Sequence, residues 1–254
     1  MISFIKRLAQ NAGQICLKDQ TALCPSDLKF KSPKDIVTAI DQKVEQFIIR
    51  EIQSAYPGHG ILGEETGSSN QDSPYRWIID PIDGTTSFVH NQPFYAVSIG
   101  VEKNGQLILG AVYAPVFDQL FYGEKGKGAF LNDAPIKVSA TKEMNQAVMA
   151  TGFACLRSDL KKNNLGYFNK IVPKLRDIRR YGSAAMDLCY TACGRVDGFW
   201  EMNLNLYDIA AGALILKEAG GTVTDFSGKT NFPQQGIAAA NGLLHPQLLN
   251  CLKE

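Results

Sequence analysis

The stretch 76–90 constrains this chain most strongly, because it places two aspartates at the end of a buried strand. Its Trp-Ile-Ile run, residues 77–79, is apolar and β-favouring, the pattern of a strand covered on both faces. Pro81 lacks the backbone N–H that further pairing needs. We therefore expect the strand to end at Asp80, and a Pro-led turn to hold Asp83 three residues further on.

The chemistry of these two aspartates predicts a bound cation. Two carboxylates in a poorly solvated cleft raise each other's pKa unless positive charge neutralises them. Mg²⁺ prefers oxygen ligands and keeps water and phosphate in its shell, so few protein ligands suffice. Gly-Thr-Thr-Ser follows at 84–87, and amides and hydroxyls at a helix start form an anion site. A metal beside a phosphate site indicates phosphoester hydrolysis, although Asp-x-x-Asp-Gly alone is also compatible with an ordinary solvated turn.

Length and charge limit the class of protein. With 254 residues and 45% apolar content, the chain can form one large domain or two fused halves. It has 26 Lys and Arg against 25 Asp and Glu, and this balance gives no overall reason to expect nucleic acid or an anionic membrane as the main partner. No apolar run approaches the roughly 18 to 20 residues of a membrane span, and the N-terminus lacks a signal-peptide core. These features predict a cytoplasmic protein without membrane partners.

The cysteine pattern agrees with that prediction. No Cys-x-x-Cys pair and no framework spacing occurs, which predicts reduced, mostly buried thiols at positions 16, 24, 155, 189, 193 and 251. The cysteines at 189 and 193 share a helix face, but no histidine lies near them in sequence. Their i, i+4 spacing therefore indicates core packing rather than a zinc site.

Periodicity predicts a mixed chain. Helical spacing of apolar residues indicates helices over 3–18, 38–55, 165–175 and 245–252, and another that opens at Tyr207. Strand patterns separated by turn dipeptides indicate an antiparallel meander over 95–102, 107–113, 119–122 and 129–131, and further strands at 148–151, 199–201, 223–225 and 237–240. Pro, Ser and Lys give 21–33 the composition of a loop.

Four further places carry residues suited to this chemistry, each with a simpler explanation. Asp41 lies in the first turn of a predicted helix, where a carboxylate favours the dipole. Glu64 follows a short apolar strand and is also explained as a loop charge. Arg179 and Arg180 precede a Gly-Ser helix start and either pair with phosphate or remain solvated. Asp208 is explained by helix capping alone.

The longer strings resemble one family. Asp-Pro-Ile-Asp-Gly-Thr-Thr-Ser-Phe, residues 80–88, resembles the signature of the inositol monophosphatase family, within the Mg²⁺-dependent, lithium-sensitive phosphatases. Gly-Glu-Glu at 63–65, the bacterial-type string at 179–188 and Tyr-Asp-Ile-Ala-Ala-Gly at 207–212 resemble its other motifs in order, so the likeness covers essentially the whole chain. Tyr207 replaces the usual Trp, Ser87 replaces a common Asn, and 203–205 lacks the frequent Arg or Lys, which affects substrate identity most.

The resemblance implies an α+β fold, the layered α-β-α-β-α sandwich of the inositol monophosphatase and fructose-1,6-bisphosphatase type, commonly a homodimer. It implies one catalytic unit of two halves, 1–145 with Glu64 and the 80–86 motif, and 146–254 with Asp208 and substrate contacts. The implied ligands of two or three Mg²⁺ ions are Glu64, Asp80, the Ile82 carbonyl, Asp83 and Asp208. The implied catalytic residues are Glu64, Thr85 and Asp41. The implied substrate contacts are Asp83, Gly84, Thr85, Thr86, Arg179, Arg180, Ala184, Glu201 and Asp208.

The function implied by the resemblance is hydrolysis of myo-inositol monophosphate by metal-activated water. Fructose-1,6-bisphosphatase activity, or that of another small sugar or nucleotide phosphatase, is the alternative within the superfamily. An alternative of another class is a regulatory protein that binds the transcription machinery, nucleic acid or RNA polymerase. The basic clusters available to such a partner are Arg157, Lys161, Lys162 and the arginines of 176–180.

Overall fold

The computed structural model of the protein describes residues 1–23, 28–32, 35–158, 160–230, 233 and 236–253, with the backbone alone at 28–32, 35 and 36. Its helices are α1 Ile2–Gln20, α2 Ala39–Ala55, α3 Thr85–Val89, α4 Ala154–Arg157, α5 Leu165–Ile171, α6 Ala184–Ala192, α7 Leu206–Glu218 and α8 His245–Leu252. In the described residues, no helix has the length and apolar character of a membrane span.

The strands of the described residues divide into three sheets. They are β1 Leu28–Ser32, β2 Asp35–Thr38, β3 Gly60–Gly63, β4 Gly67–Ser69, β5 Tyr75–Asp83, β6 Ala96–Lys103, β7 Gln106–Ala114, β8 Gln119–Glu124, β9 Gly128–Leu131, β10 Ala134–Pro135, β11 Val148–Thr151, β12 Asp177–Arg179, β13 Gly198–Glu201, β14 Gly221–Thr224 and β15 Ile237–Asn241. The large sheet has the order β10-β9-β8-β7-β6-β5-β3-β4, the second has β12-β11-β13-β15-β14, and β1 pairs with β2 alone.

The two larger sheets and three helical layers alternate. Helices α1 and α2 bury their apolar stripes on one face of the large sheet, as Ile48 and Trp77 illustrate. Helices α6 and α7 fill the space between the sheets, where Phe121 of the large sheet and Phe199 of the second share one core. Helices α5 and α8 cover the far face of the second sheet. This is the expected α-β-α-β-α sandwich, because each sheet face has an apolar helix to bury against.

Small residues bring α7 close to the large sheet. A Cβ built on Gly110 would lie 2.7 Å from the backbone oxygen of Ala211, and one on Gly100 would lie 3.1 Å from the Ala210 Cβ. Strands β6 and β7 therefore accept the helix backbone at a distance that larger side chains would prevent. This close packing holds the first turn of α7, with Asp208, against the end of β5.

Most predicted elements are confirmed, with two corrections. The 21–33 stretch contains strand β1, which pairs with β2, so its reading as a loop was wrong; a composition typical of loops does not exclude a strand. Strand β5 does not end at Asp80 but continues to Asp83, because a bulge between them removes Pro81 from the hydrogen-bond ladder. The described cysteines are free, as predicted, while Cys24 lies outside the described residues.

Candidate active site

The end of β5 shapes the first part of the site. The strand lies between β3, parallel to it, and β6, antiparallel to it, and Trp77 to Ile79 are fully enclosed. At the bulge, Asp80 pairs with Ser98 of β6, while Asp83 pairs with Ala96, so one extra residue on β5 forms a kink. The Ile82 N–H donates to Asp80 Oδ1 at 3.0 Å, which fixes the first carboxylate. The kink turns both aspartates toward one cleft.

A third carboxylate joins them from α7. Carboxylate oxygens of Asp80, Asp83 and Asp208 lie within 4.8 Å of one another. The Asn205 N–H donates to Asp208 Oδ2 at 2.5 Å, so the helix cap holds this side chain and leaves Oδ1 available as an acceptor. Ser183 Oγ and the Ala185 N–H donate to Asp83 Oδ2, both at 2.6 Å. The cluster therefore depends on α6, α7 and β5 together.

The electrostatics of this cluster favour a cation. Burial, followed by the charges of Glu64, Asp83 and Asp208, raises the pKa of Asp80 well above its ordinary value. Burial and Asp83 likewise raise the pKa of Asp208. Within the described part of the chain, no lysine or arginine forms a salt bridge to any of the three. A compact set of oxygen donors without a cationic partner fits a hard divalent ion such as Mg²⁺.

Thr85, which is half-buried, and Asp41, which is buried, form a hydrogen-bonded pair beside the cluster. Thr85 Oγ1 lies 3.2 Å from Asp41 Oδ1 and 3.0 Å from the Ile82 carbonyl oxygen, both of which accept from it. Asp41 Oδ2 accepts from the N–H and the hydroxyl of Thr38, the cap of α2. Burial raises the pKa of Asp41, and the donors of Thr38 oppose that rise. The cap of α2 thus orients the carboxylate that orients Thr85.

These groups open into a cleft of ≈ 870 Å³. The cleft brings together most of the residues expected from the sequence, namely Glu64, Asp80, Ile82, Asp83, Gly84, Thr85, Thr86, Arg180, Ala184, Glu201 and Asp208. Asp41 lies behind Thr85 rather than on the cleft wall. The lining is rich in oxygen and nitrogen atoms, which suits a phosphorylated, hydroxyl-rich ligand.

Glu201 lines the same cleft. It ends β13, is 6% exposed, and accepts the Ala154 N–H at 2.9 Å through Oε1. Burial raises its pKa to about 7, against the opposing effects of this N–H and of Arg180 and Arg157. A Cβ on Gly152 would lie 2.1 Å from Glu201 Oε2, so glycine is required for the carboxylate to occupy this place.

Arg179 is not brought to the cleft, in contrast to the sequence expectation. Its guanidinium pairs with Asp177 at 2.5 Å and donates to the Ile178 carbonyl at 3.0 Å. The neighbouring Arg180 does line the cleft. Arg157, assigned from sequence only to a basic surface cluster, also lines it. No motif signals this role, because α4 reaches the cleft only through tertiary packing.

Comparison with known proteins identifies the chain. A model of the inositol monophosphatase family matches residues 1–254. The chain belongs to the inositol monophosphatase family. Its buried carboxylate cluster and polar cleft are therefore those of a member of a metal-dependent phosphatase family, and the resemblance noted in the sequence is confirmed.

Individual relatives cover the whole chain. An inositol-1-monophosphatase of Mesorhizobium japonicum is 38% identical over 256 residues, which cover 100% of this chain and 96% of that relative. The Nus factor SuhB of Pseudomonas aeruginosa is 39% identical over 259 residues, with 100% and 96% covered. The crystal structure of the extragenic suppressor protein suhB from Bartonella henselae has a TM-score of 0.92 at 39% identity, and covers 100% of this chain and 98% of that chain. These similar proteins are thus named either as an inositol-1-monophosphatase or as SuhB.

Proposed function

We propose that this family member is a Mg²⁺-dependent phosphomonoesterase that hydrolyses myo-inositol monophosphate to inositol and phosphate. The observation that supports the reaction is the group of three carboxylates, Asp80, Asp83 and Asp208, within 4.8 Å in a polar cleft. The name of the Mesorhizobium japonicum relative supports the substrate. We further propose a cytoplasmic, lithium-sensitive homodimer whose halves, 1–145 and 146–254, form one catalytic unit.

The metal set is proposed from oxygen donors alone. The residues that would hold two or three Mg²⁺ ions are Glu64, Asp80, Ile82 through its carbonyl, Asp83 and Asp208. Bound Mg²⁺ supplies Lewis acidity that activates water and neutralises phosphate charge. The protein contributes by holding the three clustered carboxylates in place before any ligand binds, so little reorganisation is needed during reaction.

The attacking water is oriented by two acceptors. The single hydroxyl proton of Thr85 is directed to Asp41 or to the Ile82 carbonyl, so the Thr85 oxygen accepts from a water molecule in the cleft. Glu64, which also lines the cleft, offers a second acceptor. Together they orient the water for in-line attack on phosphorus; Glu64 would receive its proton as the ester P–O bond breaks, without a covalent enzyme intermediate.

We place the substrate in the cleft, in contact with the carboxylate cluster and with the other lining residues. Gly84, Thr85 and Thr86 line the cleft next to the carboxylates, and first-turn amides without helical partners are suited to phosphate oxygens. The substrate's hydroxyls are proposed to contact the cleft side chains Asp83, Arg180, Ala184, Glu201 and Asp208. The Glu201 carboxyl group accepts hydrogen bonds from these hydroxyls, and its acceptor capacity is greatest in the charged form.

The test is phosphate release from a panel of esters. The panel contains myo-inositol 1-phosphate, fructose 1,6-bisphosphate, 3'-phosphoadenosine 5'-phosphate and histidinol phosphate, each with Mg²⁺, with EDTA, and with Mg²⁺ plus lithium. We expect the highest kcat/KM on inositol phosphate, and activity that disappears with EDTA and falls with lithium. A preference for another ester would retain the metal site and reassign the pocket, while no release from any ester would refute phosphatase function.

A regulatory role is a second candidate, because the Pseudomonas aeruginosa relative is named a Nus factor. The basic residues available to RNA or RNA polymerase include Arg157, Lys161 and Lys162, but Arg179 is paired with Asp177. Salt-dependent co-purification of RNA or polymerase with the wild-type chain, lost when Lys161, Lys162 and Arg176, which do not line the cleft, are changed to Gln, is the result this role requires. Retention of phosphatase activity by the same variant would separate the two functions.

A further inference from the structure

Helix α2 carries a second carboxylate one turn beyond Asp41. Glu45 is 0% exposed, and the sequence motifs give it no role. Its Oε2 accepts the Glu65 N–H at 3.0 Å, and its Oε1 accepts the Thr66 N–H at 2.7 Å. A buried carboxylate is costly unless its oxygens are hydrogen-bonded, and here both oxygens receive backbone donors from one turn.

That turn carries Glu64, the proposed ligand and water acceptor. The Glu64 N–H itself donates to the Ile79 carbonyl at 3.2 Å, next to the start of the β5 bulge. The three successive amides of 64–66 are therefore attached to two different elements, the first to β5 and the next two to Glu45 of α2. The backbone that directs the Glu64 side chain has little freedom to rotate.

The approach of Glu45 to the turn depends on Gly63. A Cβ built on Gly63 would lie 2.5 Å from Glu45 Oε1 and 2.8 Å from Thr66 Oγ1. Real Cβ atoms do not tolerate such distances, so only glycine at the end of β3 lets the carboxylate sit beneath the turn. The space is shaped for this one group.

We propose that Glu45 is a positioning residue that fixes Glu64 in the cleft, an inference that rests on the proposed phosphatase function. Residues four apart lie on one face of a helix, so α2 supports both parts of the site: Asp41 holds Thr85, and Glu45 holds the Glu64 turn. A carboxylate is needed because it accepts two N–H groups with two oxygens. A glutamine has one oxygen, and its NH₂ would face a backbone N–H.

The chain offers a matched control. Glu218 accepts the Gly126 N–H at 2.9 Å and the Gly128 N–H at 3.0 Å, the same two-amide arrangement in the β8–β9 hairpin and outside the cleft lining. Glu45→Gln and Glu218→Gln thus change the same kind of two-amide contact, the first with a buried carboxylate near the cleft and the second with a part-buried one away from it. Both variants and the wild-type chain are compared by amide hydrogen exchange without metal, by Mn²⁺ titration calorimetry, and by steady-state kinetics.

In Glu45→Gln we expect exchange at the Glu65 and Thr66 amides to accelerate about tenfold. The Kd for Mn²⁺ should rise about tenfold, and kcat should fall about tenfold. KM for the ester should stay near the wild-type value. Glu218→Gln should accelerate exchange only in its own hairpin and keep wild-type Mn²⁺ binding and kcat. If Glu45→Gln does not fold, Gly63→Ala tests the same turn, since its Cβ displaces the carboxylate without changing α2.

Two results would overturn the inference. The first is a Glu45→Gln protein in which the Glu65 and Thr66 amides exchange faster but Mn²⁺ affinity and kcat stay at the wild-type values. The turn would then be loosened without any effect on the site. The second is an equal change in Mn²⁺ binding in both variants, which would indicate general destabilisation. Failure of the wild-type chain to bind Mn²⁺ or release phosphate would instead refute the proposed function, and the role of Glu45 with it.

Discussion

The pKa of Glu201 makes the stability of this protein depend on pH in a calculable way. The difference between about 7 in the folded chain and the ordinary 4.5 corresponds to about 3 kcal/mol, at about 1.4 kcal/mol per pH unit. Glu201 is only 6% exposed, so solvent screening reduces this value little. Between pH 4.5 and 7 the folded protein keeps a proton that the unfolded chain has released. The contribution of Glu201 to the free energy of unfolding therefore falls as the pH rises through this window.

Glu201→Gln removes this titration while it keeps an oxygen for the Ala154 N–H. We expect the variant to exceed the wild-type free energy of unfolding by an amount that increases with pH, from below about 1 kcal/mol at pH 5 to about 3 kcal/mol at pH 8. Urea unfolding of both proteins at pH 5, 6, 7 and 8, in EDTA, measures the difference. A difference that stays constant with pH would refute the link between burial of Glu201 and stability.

Two further variants test the site and the packing that supports it. Asp83→Asn should reduce phosphate release at least about a hundredfold, because it removes a proposed metal ligand. It should lower Tm by only a few degrees, because the Ser183 hydroxyl reorients while the Ala185 N–H loses a charged acceptor. Activity within tenfold of wild type, measured with Mg²⁺, would contradict the assigned role. Gly110→Ala should lower the free energy of unfolding by about 1 to 3 kcal/mol, since its Cβ meets the α7 backbone at 2.7 Å. Gly242→Ala, with nothing within 4 Å, is the matched control, and equal losses in urea unfolding would refute the close-packing argument.

Short-range chemistry predicts the pairing of Asp80 and Asp83, whereas only the family resemblance joined Asp208 to them. The bulged strand end brings Asp80 and Asp83 together within four residues, and capping explains why Asp208 begins a helix. The position of Pro81 was misread as a strand end, because local pattern does not reveal that β6 continues past it and pairs with Asp83. Pro81 fits inside the strand because the bulge takes its position out of the hydrogen-bond ladder, and this becomes apparent only once the pairing with β6 is known.

The rest of the site depends on distances that spacing does not encode. Arg179 and Arg180 are adjacent in sequence, yet only the second lines the cleft, because successive residues at a strand end point to opposite sides. The raised pKa of Glu201 arises from burial against Gly152, and the role of Glu45 arises from its contact with the turn after β3. Each is a tertiary contact between segments that the sequence keeps far apart.

The origin of the carboxylates in distant parts of the chain has a consequence for biosynthesis. Asp83 leaves the ribosome long before Asp208, and at about 5 to 20 residues per second the delay over the intervening 125 positions is about 6 to 25 s. During that time the nascent chain carries Asp80 and Asp83 without the α6 donors that later bind Asp83. The third carboxylate of the acidic cluster, Asp208, is added only after α7 has emerged. Capture of the proposed Mg²⁺ ions is therefore expected late in synthesis, and a nascent chain stalled before α7 should not yet retain them.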